Sequence, residues 1–245
     1  MCGRYTLTTP LEGVREVFDF LEKPNLAPAY NIAPTTDQPV VRQGADGRRH
    51  LTMMTWGLVP PWARKGPAAK PLINARGESV AEKPSFRSAF AKRRCLVPAD
   101  GFYEWKKRED GSKQPFRIAL EDGGPFGFAG LWEPLAEAKD GGASEGFTIV
   151  TTTATEALAS IHHRMPVILP PEAFDLWLSE AASQDELLSL LKPFEGRLVA
   201  YPVSRRVNAV ANQDETLVEP LSGKDRGAAD VPKGEPEPPV QGSLF

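Results

Sequence analysis

Short runs of apolar and β-branched residues, bounded by Gly, Pro, Asn and Asp, recur along the chain and predict strands. They fall at 39–42, 51–56, 94–97, 102–106, 115–120, 126–131, 147–152 and 197–203. A helical period predicts helices near 79–93, 155–161, 171–179 and 183–191. A further helix starts at Thr9-Pro10-Leu11-Glu12, where Thr9 suits a cap, Pro10 the first turn and Glu12 a capping box. It is predicted to run to about Leu21, with Leu11, Val14, Val17, Phe18 and Leu21 on its inner face. The stretch 25–36 is rich in Pro and Asn and reads as loop. Many short strands with scattered helices predict an α+β fold with curved antiparallel or mixed sheets, a barrel-like core and peripheral helices. There is no internal repeat.

The apolar pattern stops at Ser222. Lys233-Gly234-Glu235-Pro236-Glu237-Pro238-Pro239 has the composition of a disordered linker, so one domain at 2–221 and a disordered tail at 222–245 are expected. The chain carries no 18-residue apolar run, which argues against a membrane helix. Its opening Met1-Cys2-Gly3-Arg4-Tyr5 lacks the apolar core of a secretory signal, and a cytoplasmic, nucleoid-associated protein is expected. Cys2 and Cys95 are the only cysteines, too few for a disulfide framework, and a reducing compartment follows. Three His and two Cys offer no spaced ligand set, so no metal and no cofactor are expected.

Charge adds an asymmetry. Residues 1–120 carry 20 Lys and Arg against 12 Asp and Glu, whereas residues 121–245 carry 9 against 20. The segment 64–94 is the most basic, with nine cations against Glu78 and Glu82. Such a division points to a polyanion on one face, with a solvated basic surface as the plainer alternative.

The second residue carries the sharpest chemistry. Trimming of Met1 ahead of a small residue leaves Cys2 with an α-amine and a thiol on adjacent carbons. Their ordinary pKa values, about 7.7–8.0 and about 8.5, leave both partly deprotonated near neutrality. A 1,2-aminothiol can attack one aldehyde twice, first as a Schiff base and then by closing a thiazolidine. An incidental Cys at a frayed end is the alternative.

Three stretches bear on Cys2. Leu72-Ile73-Asn74-Ala75-Arg76-Gly77-Glu78-Ser79 places an amide and a guanidinium before a predicted helix, though Asn74 could also cap a turn. In Pro98-Ala99-Asp100-Gly101-Phe102-Tyr103-Glu104-Trp105, Glu104 sits among aromatics, where desolvation raises a carboxyl pKa toward the range of proton transfer. A strand-face carboxylate paired with Lys106 or Lys107 is the alternative. Ser160-Ile161-His162-His163-Arg164-Met165-Pro166 holds two of the three histidines, either proton carriers or solvated loop residues.

Together these pieces resemble the SRAP family, the SOS-response-associated peptidase or abasic-site-processing proteins. The resemblance continues through Tyr30-Asn31-Ile32-Ala33-Pro34, Trp56-Gly57-Leu58-Val59-Pro60-Pro61-Trp62, Arg94-Cys95-Leu96-Val97 and Pro202-Val203-Ser204, in order over roughly residues 2–220. It implies the SRAP fold and recognition of abasic sites in single-stranded DNA, with a covalent thiazolidine formed at Cys2. Carried over by position, Asn74 holds the sugar near Cys2, Glu104 orients the α-amine and shuttles its proton, and His162 is the general acid or base for ring opening and reversal. Arg4, Arg76 and Arg164 grip phosphates, Thr151 adds a hydroxyl contact, Trp62 stacks on a base or wedges a duplex end, and Gly3 lets DNA approach closely. Lyase activity through an unclosed Schiff base is a side reaction.

Departures from the family pattern are His163, where Asp is common, Tyr201, where His is common, and Val207-Asn208-Ala209-Val210-Ala211-Asn212, which lacks one basic residue. A second imidazole at His163 is expected to lower the pKa of His162. The tail ends in Gln241-Gly242-Ser243-Leu244-Phe245, which resembles the bacterial sliding-clamp-binding peptide, with Gln241, Leu244 and Phe245 as anchors. Otherwise a monomer is expected. Two alternatives stand beside covalent capture: a cysteine peptidase that uses its own N-terminus as nucleophile, and a single-stranded DNA-binding module without catalysis.

Overall fold

A computed structural model describes residues 2–63, 70–135 and 144–221 of the protein. The strands, in chain order, are β1 (Tyr5–Leu7), β2 (Ala29–Ile32), β3 (Asp37–Gln43), β4 (Arg49–Trp56), β5 (Asn74–Arg76), β6 (Arg94–Ala99) and β7 (Gly101–Lys107). They continue as β8 (Lys113–Leu120), β9 (Phe126–Pro134), β10 (Glu145–Thr153), β11 (Arg164–Pro166), β12 (Ile168–Leu169) and β13 (Leu198–Pro202). Helices α1 (Leu11–Phe18), α2 (Arg87–Lys92), α3 (Glu156–Ala159), α4 (Phe174–Leu178) and α5 (Gln184–Ser189) are short and peripheral.

Two sheets form the molecule. One has the order β13-β8-β7-β1-β2; the other runs β11-β10-β4-β3-β6-β9-β12, with β5 beside β10. A further β9–β10 pairing closes the run β10-β4-β3-β6-β9 on itself, so the second sheet contains a barrel-like circuit. The α+β expectation holds, as two sheets and not one closed barrel. Their shared core is aromatic. Tyr5 of β1 packs edge-on against Trp56 of β4 and Phe128 of β9, and Phe102 of β7 meets Phe128, with ring centroids 5.2, 5.9 and 6.0 Å apart. Edge-to-face packing of this kind adds about 0.5–1.5 kcal/mol per pair beyond area burial.

All eight predicted strands are present, seven of them two or three residues longer than the pattern suggested and β13 two residues shorter. Five more, β1, β2, β5, β11 and β12, are two to four residues long, too short for alternation to show. The predicted loop at 25–36 therefore contains β2, which pairs antiparallel with β1. The predicted helix at 79–93 is instead a 3-10 turn at Gly77–Ser79, turns, and α2. Pro84 lies inside the predicted span and cannot continue a hydrogen-bonded helix. Ser183 and Glu186 form a full capping box at α5.

The start of α1 departs from expectation in a way that matters for the site. Thr9 does not cap the helix: Pro10 takes the cap position without a side-chain bond. The amides and hydroxyls of Thr8 and Thr9 are all spent on the carboxylate of Asp100, between β6 and β7. Thr6 Oγ1 adds a 2.6 Å bond to Asp100, and Arg117 Nη2 lies 3.4 Å away. The helix stops at Phe18, where Asp19 turns left-handed at φ 51°, and Leu21 lies outside it, 48 % exposed. The buried Asp100 thus ties the N-terminal segment to the β6–β7 connection. Gly101 is required there, because a Cβ would lie 2.7–2.8 Å from the Arg117 guanidinium that crosses it.

Candidate active site

Register alone places three of the site residues. β1 runs antiparallel to β7 with Tyr5 opposite Phe102, and Tyr103 N donates to Arg4 O. Extending this pairing brings the Cys2–Gly3 segment alongside Glu104. On the other sheet β5 runs parallel to β10, with Asn74 opposite Ile149 and Arg76 opposite Thr151, and β11 returns antiparallel, with Arg164 opposite Thr153. His162 stands just before β11. The two sheets therefore deliver their chemistry to one place.

Cys2 is fully buried. Its Sγ lies 3.7 Å from the carbonyl of Arg4, and its own carbonyl accepts a 2.8 Å bond from Asn74 Nδ2. Asn74 Oδ1 is buried and has no partner among the described residues. Burial pushes the Cys2 thiol well above its ordinary pKa, and the charge of Glu104 adds to this. The resting group is the thiol.

Glu104 is 4 % exposed. Burial pushes its carboxyl up to about 7, against the pull of the N-terminal ammonium, the Trp105 amide and His163. The expectation drawn from its aromatic neighbours is met. Glu104 Oε1 stands 4.0 Å from His162 Nδ1. That same nitrogen stands 3.1 Å from both the amide nitrogen and the carbonyl oxygen of Arg164, accepting from the one or donating to the other according to its tautomer. His162 is held below its ordinary pKa, by burial first, and then by the ammonium, Arg164 and Lys113 against the Arg164 carbonyl. The direction expected from the sequence is right, but burial leads it and His163 is not among the leading causes. His163 stacks on His162 with centroids 4.4 Å apart. A small depression lined by Phe102, Glu104, Ile118, Leu158, Ile161, His162 and Arg164 opens beside these groups.

The raised carboxyl pKa has a thermodynamic consequence. A group at 4.5 when unfolded and about 7 when folded binds extra protons in the native state between these values, so stability falls as pH rises through that window. Glu104→Gln removes the buried charge. At pH 8 the variant is expected to be more stable than the parent by about 2 kcal/mol, with the gap closing toward pH 5. Thermal melts at both pH values check this; a variant less stable at pH 8 would sink the assignment.

Thr151 and Arg164 form the floor. Arg164 Nη2 donates to Thr151 O at 2.7 Å and Oγ1 at 3.1 Å, and Glu78 takes both terminal nitrogens. Arg76 is exposed at the end of β5. Trp62 is 68 % exposed in the 3-10 turn Pro61–Ala63, and Gly3 is half-buried between Cys2 and Arg4. Arg4 turns elsewhere: its Nη1 donates to Asn31 Oδ1 and Val207 O, at 2.7 and 2.8 Å, and Nη2 reaches Asn208 O at 3.4 Å. Asn31 Nδ2 adds bonds to Val207, Ala209 and Asn212 carbonyls. Arg4 and Asn31 thus fasten the segment 207–212 against the N-terminal strand. Asp100, Asn31 and Glu78 lie inside the motifs quoted above, and sequence reasoning gave none of them a role. For Asp100 a signal existed in the hydroxyl-rich Thr6-Leu7-Thr8-Thr9.

Among the described residues no group of three His, Cys, Asp or Glu is arranged to hold a metal ion, and no helix is long and apolar enough to cross a membrane. The tail at 222–245, including 241–245, lies outside the described residues.

Fold and site together define an α+β protein whose second residue, a cysteine, is bonded to an amide and feels the charge of a raised-pKa carboxyl that stands 4.0 Å from an imidazole. The family described as SOS response associated peptidase (SRAP) matches residues 1–210, and the chain belongs to that family. It is 40 % identical over 225 residues to the abasic site processing protein YoqW of Bacillus subtilis (strain 168), covering 89 % of this chain and 99 % of that one. It is 34 % identical over 232 residues to the abasic site processing protein YedK of Escherichia coli (strain K12), covering 90 % and 100 %. A crystal structure of a protein from Bacteroides thetaiotaomicron matches with a TM-score of 0.77 at 27 % identity, covering 90 % of this chain and all of that one.

Proposed function

We propose that this protein processes abasic sites in DNA and captures them covalently in single strands through Cys2, once Met1 is removed. The observation that carries the reading is that two sheets bring Asn74 onto the Cys2 carbonyl at 2.8 Å and His162 to within 4.0 Å of Glu104, whose charge acts on the Cys2 thiol. The names of the similar proteins supply the substrate class.

The chemistry balances without a cofactor. The α-amine nitrogen adds to C1′ of the ring-opened deoxyribose aldehyde, and the carbinolamine loses water to give an imine. Sγ then adds to the same carbon, and the thiol proton passes to the nitrogen. The products are a thiazolidine and one water. A neutral thiol is compatible with this order, because the imine nitrogen becomes the proton acceptor. Glu104, its carboxyl raised by burial, can take a proton from the Cys2 ammonium once Met1 is gone and return it to the departing hydroxyl. His162, held below its ordinary pKa by burial, serves ring opening of the hemiacetal and reversal. Asn74 fixes the Cys2 carbonyl with its amide and turns its spare oxygen to the sugar. Arg76, Arg164 and Thr151 meet the flanking phosphates, with Trp62 as the stacking surface and Gly3 leaving room for the strand. Arg4, spent on Asn31 and the 207–212 carbonyls, acts mainly by holding that segment. An imine that does not close can eliminate the 3′ phosphate, giving lyase activity.

The tail supplies reach: Gln241, Leu244 and Phe245 would dock on a replication sliding clamp, and the protein works as a monomer at stalled forks. A peptidase reading draws on the family description, but the buried, protonated Cys2 thiol favours an aldehyde partner over amide attack by a resting thiolate.

The test is a denaturing gel of protein and a single-stranded oligonucleotide with one abasic site, run without borohydride. A shifted band carrying DNA by mass establishes capture. No band from protein whose Met1 is gone by mass returns the weight to peptidase or simple binding.

A further inference from the structure

Glu78 follows β5 in the turn Gly77–Ser79, and its side chain is 51 % exposed. It faces Arg164 as a fork to a fork: Arg164 Nη1 donates to Oε1 at 2.6 Å and Nη2 to Oε2 at 3.0 Å. The hydrogen bonds from Arg164, with the charges of Arg164 and Arg76, hold the Glu78 carboxyl below its ordinary range despite partial burial, so it is ionised near neutrality. One carboxylate is therefore bonded to one of the arginines proposed for the flanking phosphates and feels the charge of a second. Arg164 is also anchored independently of Glu78 by the carbonyl and hydroxyl of Thr151, its side chain is only 11 % exposed, and its Nε is buried without a partner.

A guanidinium binds carboxylate and phosphate through the same two-pronged geometry. We propose that Glu78 is an internal stand-in for a backbone phosphate, occupying Arg164 in the free protein and displaced when a strand arrives. This rests on the reading that the site takes single-stranded DNA. Displacement is eased on one side, because the half-exposed carboxylate regains water when it leaves. It is orderly on the other, because Thr151 keeps Arg164 in place while Nη1 and Nη2, released by Glu78, are offered to the incoming oxygens. The consequence is a deliberately weak grip on intact strands. A protein that secures its target by a covalent bond has no need of tight binding before it, and a weak grip leaves it free to search.

The experiment is fluorescence anisotropy with an undamaged oligothymidylate over a salt series, for the parent, Glu78→Gln and Glu78→Ala, with thermal melts of each. Both variants are expected to bind about tenfold more tightly at low salt, since an anion is gone from the groove and a cation is released to it. The slope of log affinity against log salt should steepen by about 0.7 for each phosphate newly engaged. Equal or weaker binding by Glu78→Gln overturns the proposal and makes Glu78 a structural brace for Arg164, as does unfolding of that variant. Failure of the underlying reading looks different: the parent itself would show no salt-dependent binding to the oligothymidylate.

Discussion

Cys2→Ala and Cys2→Ser are both expected to lose the adduct that survives denaturation, down to background, while keeping an adduct that borohydride can trap. Both replacements keep a small second residue, so Met1 removal is unaffected, and both keep the α-amine. The first bond, from nitrogen to C1′, can therefore still form. What they lose is the second bond. In the parent the thiol is tethered two carbons from the imine nitrogen, so attack on C1′ closes a five-membered ring at an effective concentration that no external thiol can match. The imine alone returns to aldehyde and amine in water, whereas the five-membered ring holds the carbon by two bonds. Ser retains a hydroxyl, a far weaker nucleophile. The Sγ environment supports this division: it is fully buried and 3.7 Å from the Arg4 carbonyl, positioned but not ionised. Gels with and without borohydride, paired with intact mass, separate the two bonds. A borohydride-independent band from Cys2→Ala would mean that another nucleophile does the work, and Cys2 would be incidental.

The residues that carry this chemistry were easier to read than the frame that aims them. Cys2 announces itself because an aminothiol is a matter of covalent connectivity, which sequence states outright. Glu104 could be read from its flanking Phe102, Tyr103 and Trp105, since a carboxylate on a strand between aromatics is desolvated in almost any sheet. The long strands were legible because their alternation spans several residues; β1, β2, β5 and β11 were not, because three or four residues hold no period, and these are the strands that assemble the site. The pairing of Glu78 with Arg164 is carried by β10 lying between β5 and β11 and is invisible without the topology. The family resemblance implies a phosphate contact for Arg4, and only the fold shows its guanidinium bonded to Asn31, Val207 and Asn208. The Thr9 capping signal failed for a related reason: a distant carboxylate, 91 residues away in sequence, took the donors a local cap would have used.

That carboxylate is the subject of the largest expected effect on stability. Asp100 is 3 % exposed and accepts from the Thr6 hydroxyl, both polar hydrogens of Thr8, both of Thr9, and the Arg117 guanidinium, which also reaches its carbonyl at 3.0 Å. Asp100→Ala leaves these donors facing an apolar methyl and Arg117 as a buried, unpaired cation. Breaking a buried pair by removing one partner costs about 3–5 kcal/mol, a large share of the 5–15 kcal/mol that holds a typical domain together. Asp100→Asn keeps the shape but turns one oxygen into a donor pointed at other donors, so it should recover little. The pH dependence has a fixed sign. Hydrogen bonds and Arg117 overcome burial and hold the Asp100 carboxyl below its ordinary 3.8. Its contribution is thus present above that value and lost as pH falls through the folded one. Urea titrations of the parent should show stability eroding below about pH 4, an erosion that Asp100→Ala lacks in part. Function should follow structure here. The network fixes Thr6, Thr8 and Thr9, and through β1 it sets where Cys2 lies beside Glu104 and Asn74. Asp100→Ala, assayed well below its melting temperature, is therefore expected to form the covalent adduct far more slowly than the parent, although Asp100 touches none of the reacting atoms. An Asp100→Ala protein with parental stability would remove the anchor from this account, and one with lowered stability but a parental adduct rate would show that Cys2 is positioned by Asn74 alone.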